Sequence, residues 1–390
     1  MTPLALPAEF LTDPYPTTAA LRDSGPVHRV SLFDGSPAWL VVGHGETHSA
    51  LRDRRLSTNQ AHSNGHGYQG LPLPEALRND LLHLDPPRHT RLRRMVAHAF
   101  TQRSARALRP FIEAQTGLLL DRVPLGEPVD FLRAVALPLP LTTICDLLGV
   151  PADARAGVHG WTSTMLTPQG GPALARAMSD AESQLRAIVA HRRERPDDGL
   201  LSDLLRLEAD PPSEDEIVSL CFVLLAAGHD TTANFLCNAL ATLLDPRERW
   251  ERLVAEPERL PRALDELLRY DAPLSLAIRR FALQDLNIGD ARIAAGETVL
   301  LSLAAANHDP AVFPWPGEPD LGRERCPHTS FGGGVHRCPG DFLARTQAEV
   351  VLTALLHRFP GLELAGPAAD LPRRPSHRTR SFERLPVVFG

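Results

Sequence analysis

The decapeptide Phe331-Gly332-Gly333-Gly334-Val335-His336-Arg337-Cys338-Pro339-Gly340 carries the strongest chemical signal in the chain. Its cysteine stands at the mouth of a helix predicted to begin near Pro339. A helix N-terminus carries partial positive charge and free N–H donors. Both favour a thiolate over a thiol. The glycines ahead of the sulfur let the backbone pass close to something flat and bulky, and Gly340 is expected to relieve crowding just beyond it. A thiolate with hydrogen-bonded support, beside a surface that accepts a planar group, suits an axial ligand for haem iron. On these residues alone, a glycine-rich loop with a cysteine at a helix cap is the plainer alternative.

Three other constellations could do chemistry. Ala227-Gly228-His229-Asp230-Thr231-Thr232 lies in the middle of an apolar helical stretch. Burying an acid and two hydroxyls there costs on the order of 1–3 kcal/mol per unpaired hydroxyl, and more for a charge. A hydroxyl can instead bond the carbonyl one turn back and loosen the helix. Ala227 and Gly228 leave room for a ligand beside that turn. His89 and Arg93 are four apart, share one helix face and could clasp a carboxylate. A solvated basic face with Arg88, Arg91 and Arg94 is the alternative. Glu266 and Arg269 form an i,i+3 pair of a kind common on exposed helices and worth a few tenths of a kcal/mol.

The elements that must position these groups are mostly helical. Helices are predicted over about 102–121, 140–149, 172–194, 200–207, 214–244, 247–255, 259–270 and 341–358, with a short one at 17–23. Ser213-Glu214-Asp215-Glu216 is a capping-box signature opening the longest. Asp245-Pro246 ends it. Asp85-Pro86-Pro87 reads as the start of the helix holding His89, with the aspartate as cap. Short strands are expected within the first 60 residues and over 274–299. The stretch 307–334 is long and irregular, which in a compact domain usually marks function. The predicted class is mainly α with small β-sheets, in a single domain over 1–390 with a β-rich part at about 1–60.

Composition narrows the function classes. The 390 residues are 43% hydrophobic and 23% charged, as in ordinary globular proteins. The net charge of -6 argues against bulk electrostatic binding of nucleic acid. All 41 fixed basic side chains are arginines, so any cationic surface is built from guanidinium groups. Five scattered cysteines, none in a C-x-x-C spacing, argue against a disulfide framework or a structural zinc site. The N-terminus lacks the pattern of a signal peptide, and the longest apolar stretch, 217–227, is short for a membrane span. No membrane association is expected, and the expected location is cytoplasmic.

From about residue 13 to the C-terminus the chain resembles the cytochrome P450 family, in its soluble bacterial, actinobacterial-type class. The decapeptide matches the family's haem signature F-x-x-G-x-[HR]-x-C-x-G at every specified position, namely Phe331, Gly334, His336, Cys338 and Gly340. The resemblance implies the cytochrome P450 fold, with haem b (iron protoporphyrin IX) between the long central helix and the cysteine-loop helix. Cys338 would ligate the iron, with Phe331, Gly332 and Gly340 lining the cofactor. Ala227 and Gly228 would lie over the haem at a loosened turn, and Asp230 and Thr231 would relay protons to bound dioxygen. His89, Arg93, Arg280 and His336 would bind the propionates. Glu266, Arg269 and Arg323 would form a buried structural network locking the cysteine loop. Two departures are Pro319, where the family usually has Phe, and Gln347, where Glu is frequent.

The implied activity is a monooxygenase that hydroxylates or epoxidises an apolar natural-product intermediate. The partners are dioxygen, that small molecule, and a ferredoxin with its ferredoxin reductase docking near Arg337, Arg103 and Arg106. By family position the substrate pocket draws on 59–82, 165–178, Leu224, Leu274, Ser275, Ala277 and the tail around Arg378. His62, His66 and Tyr68 are candidates for contact with a polar end. Oxidative C–C or C–N coupling on the same haem and a non-catalytic haem sensor are the alternatives. The Asp230-Thr231 pair argues against a peroxide-driven enzyme, and the lack of an output domain argues against the sensor.

Overall fold

In the computed structural model, residues 3–69, 73–166 and 172–390 are described. Ser213 opens the long helix Glu214–Leu244 as expected. Its hydroxyl accepts the N–H of Glu216 at 3.2 Å, and the Glu216 carboxylate accepts the N–H of Ser213 at 2.9 Å. The helix is long and apolar enough to cross a membrane, contrary to the reading of a short apolar run at 217–227, but 78% of its most apolar window is buried inside the protein. Both halves are apolar all round, as befits a central core helix. It packs against Pro138–Leu148, Leu260–Tyr270 and Asp341–Arg358, and the last of these lies along Gln102–Leu120. Ile144, Leu220, Leu236, Leu267 and Leu352 meet in one continuous core. Each such side chain, fully buried, stabilises the fold by roughly 1.5–3 kcal/mol.

A six-stranded sheet flanks the helices. Its strands lie in the spatial order Leu4–Ala5, Val27–Ser31, Pro37–Val41, Thr298–Leu301, Arg280–Ala282 and Leu56–Ser57. The early strands are therefore not a separate unit. Pro37–Val41 runs parallel to Thr298–Leu301, with Trp39 opposite Val299. Arg280 pairs antiparallel with Val299, and Leu56–Ser57 closes the far edge against Phe281 and Ala282. This lodges Arg280 inside a sheet whose two halves are more than 200 residues apart in sequence. A three-stranded sheet and the hairpin Leu286–Ile288/Ala291–Ile293 complete the β structure.

Two expectations are corrected. Asp85 does not cap its helix, which runs Arg88–Val96 with Pro87 at the N-cap. The Asp85 carboxylate accepts instead from Ser57 Oγ and the Thr58 N–H, tying the edge strand to the helix entrance. Helices His44–Ala50 and Arg155–Leu166 were not predicted. The first is seven polar and small residues that bury only Thr47 and Ala50, so it has no apolar periodicity to read. The cysteine-loop helix runs Asp341–Arg358 as expected, with Gly340 at its N-cap.

Candidate functional site

The middle of the long helix is opened. From Ile217 to Leu225 and from Thr232 to Leu244 every residue is buried, yet Ala227 is exposed and Ala226, Gly228 and Thr231 are half-exposed. One turn of a core helix thus borders an internal space. The helix nonetheless runs unbroken through this turn, contrary to the expected loosening. Thr231 Oγ1 donates to the carbonyl of Ala227 at 2.7 Å, the back-bond expected of it, without displacing the helical pattern. Leu224, one turn earlier, is buried.

Asp230 is 7% exposed. One carboxylate oxygen accepts the amide of Asn234 at 2.9 Å, and the other is buried with no partner. Burial raises its pKa to about 6, against the opposing pull of Arg374, the Asn234 bond and Arg378. Asn234, one turn on, was not among the expected residues, although its i,i+4 spacing from Asp230 signals the pairing.

The cysteine loop is wound tightly. Cys338 donates its N–H to Phe331 O at 2.9 Å, and Gly332 to Thr329 O at 2.7 Å. Gly332 and Gly334 take φ of +67° and +65°, open to glycine at little cost. A Cβ at Gly334 would meet Leu51 O at 2.4 Å. Around Gly340, by contrast, nothing stands closer than 4.0 Å, so the polypeptide itself does not create the crowding expected there. Burial pushes the Cys338 thiol up to about 11, outweighing the Gly340 N–H bond and the charges of Arg93 and Arg337. Without a cation at the sulfur the side chain is a neutral thiol.

Four basic side chains gather beside this loop. His89 is 1% exposed with neither ring nitrogen partnered. Its ring lies 4.5 Å from that of His336. Arg280, 2% exposed, finds only the backbone oxygens of Ile278 and Arg279. Arg93 donates to Arg337 O at 2.7 Å, and His336 pairs with Leu81 O and Thr58 Oγ1. None of the four has an ion pair among the described residues. Burial lowers all of them: His89 to about 4 and His336 to about 3, where repulsion within the set adds to it, Arg280 to about 10 with Arg279 adding, and Arg93 downward with Arg337 adding. A cluster of basic groups, two of them buried without adequate partners, fits a buried dianion such as the two propionates of a haem, and Cys338 supplies a soft sulfur beside it.

The pair Glu266–Arg269 is fully buried, at 1% and 0%. Arg269 makes two parallel bonds to Glu266, at 2.7 and 2.9 Å, and reaches the carbonyls of Asn307 and Pro316. Arg323 Nε and the Asp320 N–H complete the Glu266 carboxylate at 2.8 and 2.9 Å. These bonds staple the irregular stretch before the cysteine loop to the helix Leu260–Tyr270.

Of the proposed pocket residues, Ser275 and Ala277 are buried and Leu274 is half-buried beside the tail, where it bridges Thr379. Arg378 joins them through its carbonyl, which accepts the Ser275 N–H at 2.8 Å. Parts of the proposed lining, 70–72 and 167–171, lie outside the described residues. His62 and His66 are exposed. Arg279, buried beside Arg280, was not anticipated; the Arg279-Arg280 doublet at the mouth of a strand was its only signal.

Against known proteins, a family model described as Cytochrome P450 matches residues 161–364. The chain is 36% identical to "Cytochrome P450 monooxygenase PikC" of Streptomyces venezuelae over 98% of this chain and 92% of that protein. The structure of the tirandamycin C-bound P450 monooxygenase TamI superposes with a TM-score of 0.93 at 39% identity, covering 100% of both chains. The P450 enzyme CxnD, for C–S bond formation in chuangxinmycin biosynthesis, superposes at 0.91 with 33% identity over 99% of this chain and 97% of that one.

Proposed function

The chain belongs to the cytochrome P450 family and is a haem b monooxygenase, and on that premise we propose that Cys338 is the iron ligand and that the enzyme hydroxylates or epoxidises an apolar natural-product intermediate. The observation that carries the site assignment is the set His89, Arg93, Arg280 and His336, drawn together beside Cys338 with no carboxylate paired to it. Haem held there would supply the redox chemistry that activates dioxygen, with Cys338 as the sulfur anion to its iron. The basic set would neutralise the propionates. Ala227 and Gly228 open the long helix to the internal space.

Asp230 and Thr231 move the protons. A carboxyl with a pKa of about 6 both takes and gives a proton near neutrality. Thr231 spends its own proton on Ala227 O but keeps acceptor lone pairs. It therefore accepts a bond from a donor in the pocket, and passes its proton on when it swings away from that carbonyl. Glu266, Arg269 and Arg323 hold the cysteine loop in place and take no part in the chemistry. Leu224, Leu274, Ser275 and Ala277 line the substrate side.

Electrons are proposed to come from a separate ferredoxin and its reductase in the cytoplasm. Arg103 and Arg106 are exposed on the proposed docking face, while Arg337 is partly neutralised by Asp341. Turnover with a ferredoxin should fall as ionic strength rises; a salt-insensitive rate would remove the charged docking face. The resemblance to an enzyme named for C–S bond formation keeps oxidative coupling as the second reading. Isotopically labelled dioxygen separates the two: label in the product supports insertion, and an unlabelled coupled product supports the alternative. The haem assignment is tested by reduced protein under carbon monoxide, where the red-shifted Soret band of thiolate ligation is expected and its absence would refute it.

A further inference from the structure

Arg279 and Arg378 reach one neighbourhood from distant parts of the chain. Arg279 immediately precedes the strand Arg280–Ala282 and is 4% exposed. Arg378 lies in the C-terminal tail, held beside Ser275 by its own carbonyl. The tail is fixed there by Arg373 and Arg380, which both grip the buried carboxylate of Asp271. The two guanidinium groups are near enough to repel, and each has Tyr68 and Asp80 as electrostatic neighbours. Arg378 also feels Asp230 on the long helix. The cluster therefore lies between the opened turn and the loop carrying Tyr68, whose ring meets His377 edge-on at 5.1 Å.

Neither guanidinium has a hydrogen-bond or ion-pair partner among the described residues, and the Nε of each is buried without an acceptor. Neither nearby acid bonds to them: Asp80 takes the N–H groups of Leu82 and His83 and the His83 imidazole, and Asp230 takes Asn234 with one oxygen while its other oxygen has no partner. None of the residues outside the described ones carries a carboxylate. Arg279 packs over the ring of Phe281 at 5.5 Å, close enough to Arg280 to repel it, while Arg280 faces Asp85, His89 and His336. Desolvating two like charges with no bonded counterion is unfavourable. The arrangement makes sense when an anion completes it.

We propose that Arg279 and Arg378 bind a carboxylate carried by the substrate, so that the natural substrate is an apolar molecule with one acidic end. This rests on the reading of the chamber as a haem-bearing substrate pocket. A carboxylate accepts bidentate bonds from guanidinium forks. Leu224, Leu274 and Ala277 supply the apolar surface for the remainder of the molecule. Anchoring at the arginines would leave a carbon remote from the acid group over the opened turn.

The haem-loaded enzyme is titrated with a panel of apolar carboxylic acids, linear and cyclic, each paired with the primary alcohol of the same skeleton. Binding is read from the haem absorption spectrum and independently by equilibrium dialysis. At least one acid is expected to bind about tenfold or more tightly than its alcohol. That preference should collapse to about twofold or less in Arg378→Gln and survive in part in Arg378→Lys. Arg279→Gln should behave as Arg378→Gln; Arg378 is the less buried of the two, so the test stands on it if Arg279→Gln fails to fold. Acids and alcohols binding alike across the panel would overturn the proposal, as would an acid preference that persists in Arg378→Gln. The same preparations carry the haem control. Protein with the thiolate-type carbon monoxide band but no acid preference sinks only the carboxylate site, whereas protein that takes up no haem sinks both readings.

Discussion

At the scale of single residues, burial pushes both ionisable groups at the centre upward, for opposite uses. The Cys338 thiol is up at about 11 and becomes an anion only when iron displaces its proton. Cys338→Ser should therefore abolish the red-shifted Soret band under carbon monoxide, even where some haem is retained; persistence of the band would exclude this sulfur as ligand. The Asp230 carboxyl, at about 6, is raised above its ordinary 3.8. The folded state thus holds its proton over a window where the unfolded chain has lost it. The stability this contributes is full below about pH 4 and is lost as pH rises through about 6. Measured against Asp230→Asn, the wild type should lose on the order of 3 kcal/mol between those limits, with no further change above about pH 7. A flat difference across the window would show that Asp230 is not perturbed. In turnover, Asp230→Asn and Thr231→Ala should each lower product formation roughly 10²-fold or more, with haem content unchanged.

At the scale of elements, the cysteine loop depends on a carboxylate far from the chemistry. Glu266 receives Arg269, Arg323 and the Asp320 N–H, so its removal leaves two guanidinium groups with their shared anion gone. Glu266→Gln should destabilise the protein by roughly 3–5 kcal/mol and reduce haem uptake. A melting temperature close to wild type would contradict the network's role. The capping box is a smaller matter. Ser213→Ala removes one bond at the solvent-facing start of a helix whose stability comes mainly from packing. About 1 kcal/mol should be lost by denaturant unfolding, with the carbon monoxide spectrum unaffected.

At the scale of the whole molecule, the charge distribution is arranged around anions that the polypeptide does not provide. The net charge is -6, yet two neighbouring groups of basic side chains have no ion-pair partner among the described residues. One sits beside Cys338, and the other, with Arg378 from the C-terminal tail, lies between the opened helix turn and the loop carrying Tyr68. His89→Leu combined with Arg93→Leu should weaken haem retention, measured as haem loss to an acceptor protein, while Arg378→Gln should leave it unchanged. The sheet adds a second dependence. Arg280 is placed by a strand whose neighbours include Thr298–Leu301 and, beyond it, Pro37–Val41. Deleting residues 1–57 should therefore abolish haem binding although no proposed cofactor contact is removed.

The residues of the haem signature, the acid–hydroxyl pair and the long capped helix were legible in the sequence because each is local. Spacing within one loop or one helix determines which side chains share a face and where a cap forms. Three matters were decided only by tertiary structure. The spacing of Glu266 and Arg269 alone is that of many exposed pairs; their burial, which only the resemblance implied, depends on Arg323 and on carbonyls about 40–50 residues further along. Asp85 read as a helix cap, but its carboxylate is taken by Ser57 and Thr58 across the sheet edge. Arg279 and Arg378 are separated by 99 positions, and the absence of a counterion for them is visible only once the chain is folded. Propensity and periodicity act over a few residues, whereas burial, and with it the sign and cost of a charge, is set by whatever the rest of the chain brings alongside.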